Sequence, residues 1–203
     1  MIDTYRSITR HSEALYKEKG SKFIGIALPA SSEEEVKEKL EELKKQYYDA
    51  RHHCYAYTLG QKGQQVRAND DGEPNHSAGD PILGQIRSRE LTNTLVVVVR
   101  YFGGTKLGVS GLINAYKTAA QEALDANKLV EVDITDEVLF KFAYEQMNDV
   151  MKLVKDFDLK INDQQFEMTC SLKAACLVSR TESLASQVQL LNDTGTPIAF
   201  ELV

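Results

Sequence analysis

The stretch from Thr94 to Tyr116 constrains the fold of this chain more than any other part of the sequence. It opens with five apolar residues, Leu95 to Val99, four of which are valines. A β-branched run without polar alternation predicts a strand that is buried on both faces, and therefore a central strand. A glycine-rich loop and a long helical pattern follow it. The sequence thus predicts a strand–loop–helix unit on which the other elements pack.

The loop of this unit has the features of an anion-binding site. Four glycines occur within residues 103–111, and a backbone without Cβ atoms permits close approach of a ligand. A helix that begins in such a loop directs unpaired N–H groups toward it. The residues predicted to bind a phosphate, or RNA, are Arg100, Gly103, Gly104, Lys106 and Gly108. The spacing matches neither a Walker A loop nor GxGxxG, so tight packing with Arg100 paired to a carboxylate stays as the alternative.

The most loop-like stretch is Asn69–Pro81, which is rich in Asp, Gly, Pro, Asn and Ser. Its acids Asp70, Asp71 and Glu73 are predicted to support the cations of the glycine loop. Isolated charges at a buried strand end are costly, so one of these acids should lie within ion-pair distance of Arg100 or Lys106. The alternative is a divalent metal on this loop, although the spacing of an EF-hand is absent. No catalytic residue, metal ligand or cofactor is assigned from the sequence.

The histidines and the cysteine that precede this loop favour structural roles. His52 and His53 should point to opposite faces of a strand, so they are poorly placed to bind one ion together. Cys54 is interpreted as a buried structural thiol. With Cys170 and Cys176 it makes an odd number of cysteines without a CxxC pair, which favours reduced thiols in the cytoplasm. No apolar run reaches membrane-spanning length and no secretory h-region is visible, so we predict a cytoplasmic protein without a membrane partner.

Charge is distributed unequally along the chain. Residues 1–130 carry 18 Lys and Arg against 17 Asp and Glu, a balance of +1, whereas residues 131–203 carry 6 against 13, a balance of −7. An acidic half is a poor partner for a polyanion, so any RNA should meet the first half. We predict two domains, 1–130 and 131–203, and an α+β fold.

The predicted order of helices and strands differs between the two halves of the chain. Strands are predicted near 2–8 and 21–28, and Ser32 with Glu35 forms a capping box before the first helix. In the second half the predicted order is βαββαβ, that of a ferredoxin-like sandwich. Two of its strands are predicted at 166–172 and 175–178, followed by a second capping box at Ser179 and Glu182.

Three motifs resemble one known family, in the same order along the chain. They are HHCYAY at 52–57, DDGEP with SAGDPIL at 70–83, and RYFGGTKLGVSGLINAY at 100–116. The chain is identified on these motifs as similar to the IMPACT family, in its bacterial YigZ-like branch. The resemblance implies an N-terminal domain like the second domain of ribosomal protein S5, with a left-handed βαβ crossover. It implies a C-terminal domain like the last domain of elongation factor G.

The resemblance also implies a role close to translation. We therefore expect a cytoplasmic, translation-associated regulator that binds RNA, a ribosomal surface or a translation factor through the glycine loop. The alternative is a metal-dependent enzyme that acts on a phosphorylated or nucleic-acid substrate. A fold alone does not decide between them.

Overall fold

A computed structural model describes residues 3–167 and 169–203. The strands are β1 (Thr4–Ile8), β2 (Ser12–Glu18), β3 (Ser21–Pro29), β4 (His52–Leu59), β5 (Gln65–Asn69), β6 (Thr94–Tyr101), β7 (Leu129–Asp133), β8 (Thr135–Phe142), β9 (Lys160–Phe166), β10 (Cys170–Leu177) and β11 (Ile198–Leu202). The helices are α1 (Glu33–Gln46), α2 (Gly79–Ser88), α3 (Gly108–Asp125), α4 (Met147–Asp156) and α5 (Val178–Asp193), with a 3-10 turn at Tyr144–Gln146. The fold is mixed α/β and divides into two units, Tyr5–Val132, and residues 3–4 with Asp133–Val203.

The first unit is built on a five-stranded antiparallel sheet in the order β2-β3-β6-β4-β5. Its central strand is β6, in which every residue from Thr94 to Arg100 is buried, as the run of valines predicts. Helices α2 and α3 pack on one face of the sheet, and α1 packs on the other. Both faces of β6 are therefore covered.

Helix α1 joins β3 to β4, which flank β6 and are parallel to each other because both pair with β6 in the antiparallel sense. Ser32 caps this helix as predicted, since its hydroxyl accepts a hydrogen bond from the Glu35 amide at 3.2 Å. The Glu35 carboxylate, however, accepts from the amide and hydroxyl of Ser31. The reciprocal half of the capping box is thus displaced by one residue.

The second unit has a four-stranded antiparallel sheet in the order β11-β8-β10-β9, and its elements follow the predicted βαββαβ order. The strand boundaries near 166–178 were predicted wrongly. Strand β10 runs without a break and alternates strictly between more and less buried residues, whereas every residue of β9 is exposed and leaves no apolar period. The second capping box is also wrong, because α5 begins at Val178 and the Ser179 hydroxyl donates to Asp3 at 2.5 Å.

Two strands of the first half have no counterpart in the sequence prediction. Strand β2 is mostly half-exposed, and β7 pairs with β1 in a separate two-stranded sheet. The predicted first strand starts at Ile2, which lies outside the described residues. Across residues 3–167 and 169–203, no helix combines the length and the apolar content needed to cross a bilayer.

Candidate functional site

A pocket of about 870 Å³ lies in the first unit, where β6 ends, β4 begins and α3 begins. The acidic loop contributes Glu73 and Pro74 to its lining, and the glycine-loop segment contributes Arg100 and Lys106. The two loops that the sequence predicted to share a site therefore line one cavity.

The floor of this pocket is a buried ion pair. Arg100 Nη1 lies 2.5 Å from Glu73 Oε1, and the side chains are 8% and 4% exposed. The Tyr116 hydroxyl donates to the same carboxylate oxygen at 2.7 Å. The predicted proximity of an acid to a glycine-loop cation is thus confirmed, and the partner is Glu73. Arg100 is consequently not a free cation, since Glu73 neutralises it.

Two aromatic rings hold the guanidinium in place. The Arg100 Cζ atom lies 5.5 Å from the centre of the Phe23 ring and 5.7 Å from that of Phe102. These distances are within the range of cation–π attraction. Arg100 Nε is buried and has no hydrogen-bond partner among the described residues.

Asp70 and Asp71 bind backbone amides instead of cations. The Asp70 carboxylate accepts from His76 at 2.8 Å, Ala78 at 3.0 Å and Gly79 at 2.8 Å. Burial raises the pKa of Asp70, but these amide hydrogen bonds and the His76 charge outweigh burial, and the pKa is lowered. Asp71 Oδ2 accepts from the His53 amide at 2.6 Å. The first-turn N–H groups of α2 need an acceptor, which explains why the Asp70 carboxylate binds these amides and makes no ion pair with Lys106.

Gly103 is a packing residue and not part of a cradle. Its amide donates to the Ser21 hydroxyl at 3.1 Å, so it is not available to a ligand. A Cβ atom at this position would collide with the backbone of Gly20 and Ser21. The glycine therefore fastens the loop to the turn between β2 and β3.

Gly104 and Gly108 keep the features predicted for an anion cradle. Both have left-handed backbone conformations, with φ of +87° and +69°, and open space where a Cβ would stand. Among the described residues, neither the Gly104 amide nor the Gly108 amide donates a hydrogen bond to a backbone carbonyl of a turn or loop. Helix α3 starts at Gly108 without a side-chain cap and without an acid in its first turn. Its N-terminal amides and the positive end of its dipole therefore face the pocket without a capping side chain or an acid in the first turn.

Two exposed cations line the pocket without an ion pair among the described residues, the predicted Lys106 and the unpredicted Arg51. Arg51 immediately precedes β4, whose register pairs His52 with Arg100. The HHCYAY strand was visible in the sequence, but its register against β6 was not. That register is the signal that would have placed Arg51 in the site.

The rim of the pocket is aromatic. Phe102 is 58% exposed, which leaves part of its ring open to a ligand. The Tyr101 hydroxyl donates to Asp49 at 2.7 Å, and this hydrogen bond raises the pKa of Tyr101 to about 12. Tyr101 is therefore a neutral hydroxyl at physiological pH.

The thiol and the histidines near the pocket do not form a catalytic arrangement. Burial raises the pKa of Cys54 to about 12, and its Sγ donates to the Asp70 carbonyl at 3.0 Å, so it is not a thiolate nucleophile. His52 lies in the pocket wall with Nδ1 at 2.8 Å from the Asp71 carbonyl oxygen, while burial lowers the pKa of His53, which is buried. Within the described residues, no group of three or more His, Cys, Asp or Glu side chains is placed to hold a metal ion.

Comparison with known proteins agrees with this architecture. Residues 19–124, which include both loops, match the model of the Impact N-terminal domain. The IMPACT family member YvyE of Bacillus subtilis is 40% identical over 131 residues, which cover 64% of this chain and 60% of that protein. YigZ of Escherichia coli is 30% identical over 172 residues, and the alignment covers 84% of both proteins.

A solved structure, described as the crystal structure of a hypothetical protein, is similar over the whole chain. It matches with a TM-score of 0.73 and 25% identity, covering 100% of this chain and 98% of the other. The family model spans the β4, β6 and α3 segments that form the pocket. On the domain match and on the relatives that align along most of its length, this chain belongs to the IMPACT family.

Proposed function

We propose that this protein is a translation-associated regulator that binds RNA through a phosphate group held in the pocket at the start of α3. The observation that carries the proposal is the pair of exposed cations, Arg51 and Lys106, beside an uncapped helix N-terminus. An anion in this position is attracted by both side chains and by the positive end of the helix dipole. The amide of Gly108, which lines the pocket, is the backbone donor for it, and Gly104, two residues before Lys106, keeps an open left-handed backbone.

The size and the rim of the pocket favour a nucleotide over a simple inorganic anion. A volume of about 870 Å³ is far larger than one phosphate needs. The exposed ring of Phe102 offers a surface on which a base can stack, an interaction of about 1–3 kcal/mol per base. Because Glu73 already neutralises Arg100, the ion pair on the floor shapes the pocket and contributes little net charge.

Membership of the IMPACT family supports the connection to translation that the motifs implied. We further propose that the first unit resembles the second domain of ribosomal protein S5, with β3, α1 and β4 as its left-handed crossover. The strand order β11-β8-β10-β9 supports a ferredoxin-like second unit akin to the last domain of elongation factor G. In this proposal the ribosomal surface that the protein meets is RNA.

The proposal is tested by binding of a fluorescein-labelled single-stranded RNA of twelve nucleotides, followed by anisotropy across a salt titration. Lys106→Gln and Arg51→Gln should each weaken binding and lower the slope of log affinity against log salt by about 0.7. Lys37→Gln is the matched control, because Lys37 is an exposed lysine of α1 outside the pocket. If both pocket variants bind with the affinity and salt slope of the parent, the glycine loop has only a structural role.

A further inference from the structure

Four residues on neighbouring strands form a row that ends at the pocket. Lys17 of β2 is the direct partner of Lys22 in β3, and Lys22 is the direct partner of Tyr101 in β6. Arg51 directly precedes His52, the residue of β4 that pairs with Arg100, and it lines the pocket together with Tyr101. Directly opposed residues of antiparallel strands share a face of the sheet. We name Lys17, Lys22, Tyr101 and Arg51 the cationic row.

The three cations of the cationic row make no ion pair among the described residues. Lys17, Lys22 and Arg51 are all exposed. Two lysines directly opposite each other repel and destabilise the strand pair. Such an arrangement disfavours the free protein and favours the binding of an anion between them.

The acids closest to the row along the chain have other partners. Glu18, next to Lys17, accepts a hydrogen bond from the Tyr16 hydroxyl at 2.9 Å. Asp49, which lines the pocket, accepts from Tyr101 at 2.7 Å. One carboxylate therefore stands near the Arg51 end of the row, and the Lys17–Lys22 end lacks an ion-pair partner in the described part of the chain.

The dimensions of the row suit several consecutive phosphates. Neighbouring strands lie about 4.8 Å apart, so three intervals from Lys17 to Arg51 span about 14 Å. A stacked strand carries one phosphate per about 3.4 Å of its axis, which gives about four phosphates over this distance. Arg51 and Tyr101 of the row line the pocket together with Lys106 and Phe102.

Resting on the function proposed above, we infer that the cationic row guides single-stranded RNA across the sheet and into the pocket. One nucleotide occupies the pocket, where its base stacks on Phe102, and the adjoining backbone phosphates lie along Lys22 and Lys17. A duplex does not fit this arrangement, because its bases are stacked inside the helix and cannot meet an aromatic ring.

The test compares three double variants of the full chain on a trinucleotide, a single-stranded RNA of twelve nucleotides and a twelve-base-pair RNA duplex. They are Lys17→Gln/Lys22→Gln in the row, Arg51→Gln/Lys106→Gln in the pocket, and Lys37→Gln/Lys117→Gln as a control with the same loss of charge. Lys37 of α1 and Lys117 of α3 are exposed and do not line the pocket. The row variant should bind the trinucleotide like the parent. For the longer strand its salt slope should fall by about 1.4, as expected for two lost phosphate contacts. The pocket variant should lose affinity for both single strands.

The outcomes separate the two proposals. If the pocket variant is weakened but the row variant binds the longer strand like the control, RNA does not follow the row, and the pocket function stands. A duplex that binds the parent as tightly as the single strand also overturns the inference. If the parent itself binds none of the RNAs, the RNA-binding function fails and the row inference fails with it.

Discussion

The buried pair of Arg100 and Glu73 makes a strong prediction about stability. Glu73→Ala removes the charge partner of a guanidinium that is only 8% exposed, and it deprives the Tyr116 hydroxyl of its acceptor. Breaking a buried ion pair from one side costs about 3–5 kcal/mol, and the lost hydrogen bond adds about 1 kcal/mol. We expect the free energy of unfolding of the first unit to fall by about 5 kcal/mol, a large share of the 5–15 kcal/mol typical of a domain.

Two further variants separate charge from packing. Glu73→Gln keeps an oxygen that can accept from Tyr116 but lacks the charge, so its loss should be intermediate. Replacing both partners, Glu73→Leu with Arg100→Met, leaves no buried charge and should restore most of the stability.

The assay must report on the first unit alone, because the chain divides into two units and the ion pair belongs to the first. Native-state hydrogen exchange of the amides of β6, followed by mass spectrometry, meets this need, since β6 is the central strand of the first unit. The reasoning is refuted if Glu73→Ala changes the opening free energy of β6 by less than about 1 kcal/mol, the scale of a surface ion pair. It is also refuted if the double replacement is as unstable as Glu73→Ala.

Two other predictions follow from shifted pKa values. Burial raises the pKa of the Cys54 thiol from 9.0 to about 12, so iodoacetamide should alkylate it at pH 8 roughly 1000-fold more slowly than an ordinary thiol. The rate is measured by mass spectrometry on the peptide that contains Cys54, and alkylation at the ordinary rate contradicts the burial of the thiol. The pKa of Asp70 is lowered from 3.8, so its contribution to stability is complete above about pH 3.8 and is lost as pH falls through the lower folded value. Asp70→Asn should therefore destabilise the protein at pH 7, and its difference from the parent in urea unfolding should shrink as the pH falls below about 3.8. A difference that is constant with pH contradicts the role of the charge.

The parts of the fold that were predictable are those in which burial imposes a pattern on the sequence. The valine run of β6 has no polar alternation because both faces are covered. The loop between β5 and α2 and the loop after β6 could be predicted because both are rich in residues typical of turns. The order of elements in the second unit could be predicted from its apolar residues. The bounds of β9 could not be predicted in this way, because every residue of this strand is exposed.

The parts that were not predictable depend on long-range register and on competition between equivalent groups. Asp70, Asp71 and Glu73 lie within four positions. Amides at the start of α2 bind Asp70 and the His53 amide of β4 binds Asp71, which leaves Glu73 for Arg100. Gly103 has the appearance of a cradle residue, yet its amide is taken by Ser21, which lies 82 positions earlier. No local pattern encodes either outcome.

The charges around the pocket limit what it can bind by itself. Arg100 and Glu73 cancel, and Arg51 and Lys106 exceed Asp49 by one positive charge. The start of α3 adds about half a charge, for a total of about +1.5. That total balances one phosphate group and no more. Tight binding of a chain of phosphates therefore requires cations outside the pocket, and within the described part of the first unit the unpaired Lys22 and Lys17 continue the same row.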